Sequence, residues 1–295
     1  MADRFALVLH GGAGAQRGRD YSAEVAHMRG LVEAARDRLA GGASALDVAV
    51  DTIAELEISG LYVAGRGASP NTAGRYELDA SLMHGPDGMA GAVAALQGFT
   101  SPIRTARSVM ERTHHVMLAG EGAAMFAEAE GLEPIPGEPG DWFTHAGADE
   151  DNHATGKLQH GTVGCCVLDR EGRLAAGTST GGVFDKMPGR LGDTPVIGAG
   201  TWADGDVAVS STGSGEFFLR TATAVQVAHR IRWAGQDLDA AAKAAIASVG
   251  AIGGDGGLIA VSRTGEIVMP YNSQGMKRAA LFSDGRIMSA AFEEG

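Results

Sequence analysis

The sequence predicts an α+β fold in which antiparallel sheets are layered with helices. Two observations carry that reading. The elements run as strands, helices, a polar stretch, a hairpin, helices and a second hairpin, which is not the βαβ alternation of a parallel sheet. Each hairpin has its own turn: Asp169-Arg170-Glu171-Gly172 between residues 162–168 and 173–178, and Arg263-Thr264-Gly265 between 258–261 and 266–271.

The remaining elements follow in order. Residues 5–9 form an apolar strand that runs into His10-Gly11-Gly12-Ala13-Gly14. Val25, Met28, Leu31, Val32, Ala35 and Leu39 recur at helical spacing, and Gly41-Gly42 ends that helix. Ser44, with Asp47 three residues on, caps a second helix whose stripe is Leu46, Val50, Ile53 and Ala54. Short strands follow through Leu78 and over 90–96. Ser101-Pro102 opens a helix reaching residue 116. Another spans 121–130 and stops at Gly131. Residues 132–161 hold three prolines, acids and three histidines, and read as a linker or long exposed loop. A strand is expected over 207–211, and single helices over 216–233 and 238–249.

At 295 residues, the chain can form one large domain or two small ones. No apolar run nears the ~20 residues of a membrane span, and Phe5 to Leu9 is too short for a signal-peptide core. The expected location is the cytoplasm, off the membrane. Net charge is −12, of which residues 1–161 carry −10. An acidic chain without a basic patch argues against nucleic acid as a partner. The nine acids between residues 121 and 151 read as a solvated face. Cys165 and Cys166 are strand neighbours facing opposite ways, so a mutual disulfide is not expected; they read as small buried hydrophobes, with a reactive cysteine pair as the alternative.

The most informative motif is Gly161-Thr162-Val163-Gly164, followed eighteen residues after Thr162 by Thr180-Gly181-Gly182. Thr162 can be an ordinary β-branched strand residue. It can also attack the carbonyl before it. Scission there would make Thr162 a new N-terminus, with a hydroxyl nucleophile and an amine base on one residue. The α-amine titrates near ~8, so it can take a proton at neutral pH without a histidine. The junction lies where a polar segment meets an apolar strand, so a cut would spare the core.

Other motifs are weaker. After Gly12-Ala13-Gly14, Arg17 stands where a dinucleotide fingerprint needs its last glycine, and no P-loop occurs. Glycines there suit backbone passing close to a reactive centre. Gly177-Thr178-Ser179-Thr180-Gly181 matches a nucleophile elbow, but Gly182, Pro188 and Gly189 follow instead of a helix. Zinc-binding spacings are absent; His145, His153 and His160 with Asp149 and Asp151 read as solvated loop. Arg190 and Asp193 are either a local surface ion pair or a grip for a zwitterion, the arginine on a carboxylate and the aspartate on an ammonium. Thr212-Gly213-Ser214-Gly215 can hold an oxyanion with its N–H groups or simply turn tightly.

Together these residues resemble the plant-type asparaginase and isoaspartyl peptidase family of N-terminal nucleophile hydrolases. The resemblance runs through HGGAG at His10, GASALD at Gly42, ELDASLM at Glu77, AGAVAAL at Ala90 and HVMLAGEGA at His115. It continues through GTVG at Gly161, TSTGG at Thr178, PGRLGDTPVIGAG at Pro188, STGSGE at Ser211, GGDGGLIA at Gly253 and NSQGMKRA at Asn272. It implies a four-layer αββα sandwich, one structural domain cut into residues 1–161 and 162–295, with two cut pairs assembled as a dimer.

By matching positions, Thr162 would be the nucleophile and Thr180 its support, with Thr212 and Gly213 as oxyanion hole. Arg190 and Asp193 would hold the substrate's α-carboxylate and α-amine, with Gly182 and Gly215 lining the pocket. His10, Gly11 and Gly12 would serve self-cleavage at Gly161. No catalytic cofactor is implied. A structural sodium ion would be held by backbone carbonyls of Leu56, Glu57, Ser59, Tyr62, Ala64 and Arg66.

The expected activity is hydrolysis of β-aspartyl dipeptides and L-asparagine. One position departs from the pattern: the family reads F-N-A-G where this chain has Tyr62-Val63-Ala64-Gly65. Valine has no polar side-chain atom, which opens the alternative of a processing-deficient amino-acid binder. A glycosylasparaginase-like amidase is the other alternative, although that subfamily tends to have asparagine where this chain has Gly181.

Overall fold

The computed structural model describes residues 4–147 and 161–293. In chain order the strands of the larger sheet are β1 (Ala6–His10), β2 (Leu78–His84), β3 (Ala90–Leu96), β4 (Met117–Ala119), β5 (Val163–Leu168) and β6 (Leu174–Thr180). The smaller sheet contains β7 (Thr201–Ala203), β8 (Val207–Gly213), β9 (Gly256–Ser262) and β10 (Ile267–Val268). Finally β11 (Arg278–Leu281) and β12 (Ile287–Ala290) return to the larger one. The larger sheet has the order β12-β11-β1-β5-β6-β2-β3-β4, and the smaller β10-β9-β8-β7. Every pairing is antiparallel except β3 with β4.

Helices α1 (Ser22–Ala40), α2 (Ala45–Ile58), α3 (Pro102–Arg112) and α4 (Gly120–Ala129) cover the larger sheet. After the one-turn α5 (Pro139–Trp142) and α6 (Gly215–Thr221), helices α7 (Thr223–Ala234) and α8 (Leu238–Ala251) cover the smaller sheet. Leu7, Leu9, Cys165 and Val167 meet Val32, Ile53 and Ile103 on the first helical side. Val8, Cys166 and Ala176 meet Ala208, Ile259 and Val261 between the sheets. Val207, Val209 and Leu258 meet Val227, Ala241 and Val249 on the far side. Three apolar seams make four layers, so the αββα sandwich is borne out. Each fully buried Leu, Ile or Val contributes about 1.5–3 kcal/mol relative to exposure. The cysteines do face opposite ways; both are free, and burial pushes both thiols up.

Local chemistry sets several boundaries. Ser44 Oγ accepts from Asp47 N at 3.1 Å and donates to its carboxylate at 2.7 Å, capping α2. Glu57 closes the start of α3, accepting from Ser101 Oγ at 2.5 Å and Ile103 N at 3.0 Å.

Four expectations need correction. The helix opened by Pro102 ends at Arg112, because residues 117–119 form a short edge strand beside β3. The helix expected over 216–233 is two, broken at Ala222, whose φ is 48°. The last hairpin's second strand is only β10. The tail adds β11 and β12 beside β1, where no pattern announced them.

Residues 132–147 are mostly exposed but anchored. Phe143 is buried and stacks on Tyr76 at 3.9 Å, while Thr144 N and Ala146 N donate to Arg66 O and Gly67 O. His153, His160, Asp149 and Asp151 lie outside the described residues. Among the described residues, no His, Cys, Asp and Glu cluster could hold a metal ion, and no helix is long and apolar enough to cross a membrane.

Candidate active site

Adjacency of β1 and β5 places the end of one beside the start of the other: His10 pairs with Gly164. The loop after His10 therefore passes the Gly161–Thr162 bond. A Cβ on Gly12 would lie 3.2 Å from Gly161 Cα and 3.4 Å from Thr162 N, and φ there is +100°, so only glycine fits without strain. Gly11 N donates to Lys277 O, Lys277 N donates to Gly12 O, and the Tyr62 ring packs on Gly11. His10 Nδ1 donates to Thr162 O at 3.1 Å; a carbonyl only accepts, which fixes the tautomer. Burial drives the His10 pKa down to about 3, so the ring is neutral.

Thr180 ends β6, the strand next to β5, and so faces Thr162. The Thr162 hydroxyl donates to Thr180 Oγ1 at 3.3 Å, and Thr180 donates to Gly161 O at 2.8 Å. Gly182 N donates to Thr180 Oγ1 at 3.0 Å and holds that hydroxyl in place. Val63 backs the same bond. Its carbonyl accepts from Gly181 N at 2.8 Å, and a Cβ on Gly161 would lie 2.7 Å from its side chain.

Thr162, Thr180, Gly182, Arg190, Asp193, Gly213 and Gly215 line one cleft, completed by Val183, Gly192 and Thr194. Its free volume is about 10 Å³, too small for a dipeptide without movement of its walls. Asp193 is buried at its wall with Oδ2 unpartnered. Burial pushes its carboxyl up to about 7, with Arg190 opposing the rise. Arg190 does not pair with Asp193. Its Nε and Nη2 each donate to the Glu216 carboxylate at 2.8 Å. Glu216 is half exposed, so screening weakens that pair. An unpaired buried carboxylate beside a bidentate arginine can receive an ammonium and a carboxylate together.

Thr212 is not among the residues that line the cleft. Its hydroxyl accepts from Ala13 N at 3.3 Å, so it touches the His10 loop, while Gly213 reaches the cleft. Ser179 lies buried within β6 with loop after it, so the hydrolase-elbow geometry is absent. Behind Gly182 sits a buried group the sequence did not announce. Lys186 Nζ donates to Glu77 O at 2.6 Å, and burial pushes the nearby Asp79 carboxyl up to about 6. Of the six carbonyls in the 56–66 loop, Leu56 O accepts from Ser59 Oγ, Tyr62 O from Ala64 N, Ala64 O from Gly67 N and Arg66 O from Thr144 N.

The sequence pattern of the family described as "Asparaginase" matches residues 3–288. An isoaspartyl peptidase of Salmonella typhimurium is 40% identical, over 92% of this chain and 94% of its own. The human "Isoaspartyl peptidase/L-asparaginase" is 39% identical, over 95% and 94%. A plant-type L-asparaginase of Pyrobaculum calidifontis is 38% identical, over 92% and 95%. The chain belongs to the asparaginase family of hydrolases.

Proposed function

We propose that this hydrolase cuts itself between Gly161 and Thr162 and then cleaves β-aspartyl dipeptides and L-asparagine with Thr162 as nucleophile. The observation that carries the reading is the closed path of hydroxyls from Thr162 through Thr180 to the Gly161 carbonyl. As Thr162 Oγ1 bonds to the Gly161 carbonyl carbon, its proton passes to Thr180 Oγ1 while Thr180 gives its own proton to the former carbonyl oxygen, neutralising the developing oxyanion. That proton then moves to the Thr162 nitrogen as the carbon–nitrogen bond breaks and the carbonyl re-forms, and an ester joins Gly161 to Thr162. One water hydrolyses that ester, leaving residues 1–161 and 162–295 as two chains of one domain.

In turnover, the freed amine takes the Thr162 hydroxyl proton and passes it to the leaving amine. The side-chain-derived carbonyl becomes a β-aspartyl ester, and water releases aspartate. Arg190 and Asp193 hold the α-carboxylate and α-ammonium, and Gly213 N–H supports the oxyanion. Replacing Thr162 with alanine should abolish both the cut on a denaturing gel and dipeptide hydrolysis. An alanine variant that hydrolyses the dipeptide like wild type refutes the assignment.

The glycosylasparaginase reading fits less well, because a Cβ at Gly181 would collide with Ala68 and leaves no space for asparagine. The binder reading draws on the apolar wall that Val63 sets against Gly161. It requires a chain that stays whole and inactive on prolonged incubation.

We also propose a dimer of cut pairs, supported by exposed Val116, Met117 and Met125 at and beside the edge strand β4; native mass tests it. A sodium ion held by the 56–66 carbonyls fits their all-oxygen donor set: Leu56, Tyr62 and Ala64 O each accept one hydrogen bond and keep a second lone pair, whereas Arg66 O accepts from both Thr144 N and Thr144 Oγ1. A thermal midpoint that rises with sodium but not with lithium supports it. Two buried, reduced thiols favour the cytoplasm.

A further inference from the structure

Behind the cleft, five side chains form one line of hydrogen bonds. His10, whose Nδ1 holds Thr162 O, meets Ser210 Oγ through Nε2 at 3.0 Å. Ser210 Oγ lies 2.7 Å from Thr178 Oγ1, and Thr178 lies 2.6 Å from Thr201 Oγ1. Thr201 lies 2.8 Å from Ser81 Oγ, and Ser81 donates to Thr194 O at 2.5 Å. All five are buried, and they come from β1, β8, β6, β7 and β2, so the line stitches the two sheets together. Gly164 makes room for it: a Cβ there would collide with both Ser210 Oγ and His10 Nε2. One end grips the residue after the cut. The other grips the neighbour of Asp193.

The protons do not match the contacts. Thr162 O and Thr194 O only accept, so Nδ1 and Ser81 must donate to them. Neutral His10 must then accept from Ser210. The three remaining oxygen–oxygen contacts, and a fourth from Thr178 Oγ1 to Gly200 O at 3.2 Å, share only the protons of Thr178 and Thr201. Two of these four contacts are left without a hydrogen, and which two depends on both ends.

We propose that Ser210, Thr178, Thr201 and Ser81 are positioning residues whose shared hydroxyl orientation couples the Thr162 carbonyl to the loop carrying Asp193. The proposal rests on Thr162 being the cut nucleophile. It gives the cut and the substrate loop one two-ended element that each biases.

A double-mutant cycle tests it, using Ser81→Ala and Ser210→Ala on the full chain. The readouts are the rate of chain scission after translation, and kcat and KM for a β-aspartyl dipeptide. Each single change should slow scission three- to tenfold, and the double no more than the stronger single. Thr201→Val removes two contacts and one proton and breaks the line, leaving the Thr178 proton to Ser210 Oγ or Gly200 O. It should keep the thermal midpoint but uncouple the ends, so that Ser81→Ala then changes KM and not scission. Thr201→Ser should retain the coupling. Independent, multiplying effects of the two alanines, or a Ser81→Ala effect on scission that survives Thr201→Val, overturn the coupling alone. A wild type that neither cuts itself nor hydrolyses the dipeptide overturns the proposed function and the coupling together.

Discussion

The Thr180 hydroxyl donates to the Gly161 carbonyl oxygen at 2.8 Å while receiving the Thr162 hydroxyl at 3.3 Å. One side chain thus touches both the hydroxyl proposed to attack and the carbonyl it would attack. Its loss should hurt scission more than any other change outside Thr162. Thr180→Val should slow the cut by ~10²-fold or more, the usual cost of a lost oxyanion donor. Thr180→Ser should retain most of the rate. Gel time courses of the two variants read this directly, and equal rates would remove Thr180 from the account.

Val63 presents a hydrocarbon wall to Gly161. Val63→Asn offers a donor at that wall and should speed scission about fivefold, the effect of one net hydrogen bond near 1 kcal/mol. The rate of appearance of the 162–295 fragment checks it.

Glu216 occupies the Nε/Nη2 edge of Arg190, the group proposed to hold the substrate carboxylate. Glu216→Gln should lower KM for a β-aspartyl dipeptide by up to about fivefold, the scale of a screened ion pair, with kcat little changed. Steady-state kinetics distinguish this from a structural lesion, which would raise KM.

The Asp193 carboxyl, pushed up to about 7 by burial, must be ionised to meet an ammonium. Affinity for substrate should therefore fall as pH drops below about 7. Glu216→Gln should move that midpoint down, because the Glu216 charge helps to raise it. The stability sign is opposite. A raised carboxyl penalises folding above its unfolded pKa, growing from about pH 4 and complete above about pH 7. Asp193→Asn should raise the thermal midpoint at pH 8, leave it nearly unchanged at pH 4, and abolish turnover.

Much of this was legible because it is local. The Ser44–Asp47 cap, the 169–172 turn and the threonine after Gly161 each announce themselves within a few residues. The break at Ala222 was hidden because alanine seldom adopts a positive φ. Strand β4 was hidden because three partly exposed edge residues carry no periodicity. At the site, Arg190 and Asp193 were visible as a pair, but the Arg190 partner Glu216 lies 26 residues away and comes from another element. The His10–Ser210 contact spans 200 residues and depends on which strands of the two sheets face each other, which no local pattern encodes.

The central claim is that a new N-terminal threonine is both made and used by this chain. Intact mass measured at intervals, with dipeptide hydrolysis assayed on each sample, tests it most directly. The expected result is two fragments, one ending at Gly161 and one beginning with Thr162, with turnover rising in proportion to the cut fraction. Full turnover from protein that stays a single unbroken chain would contradict it.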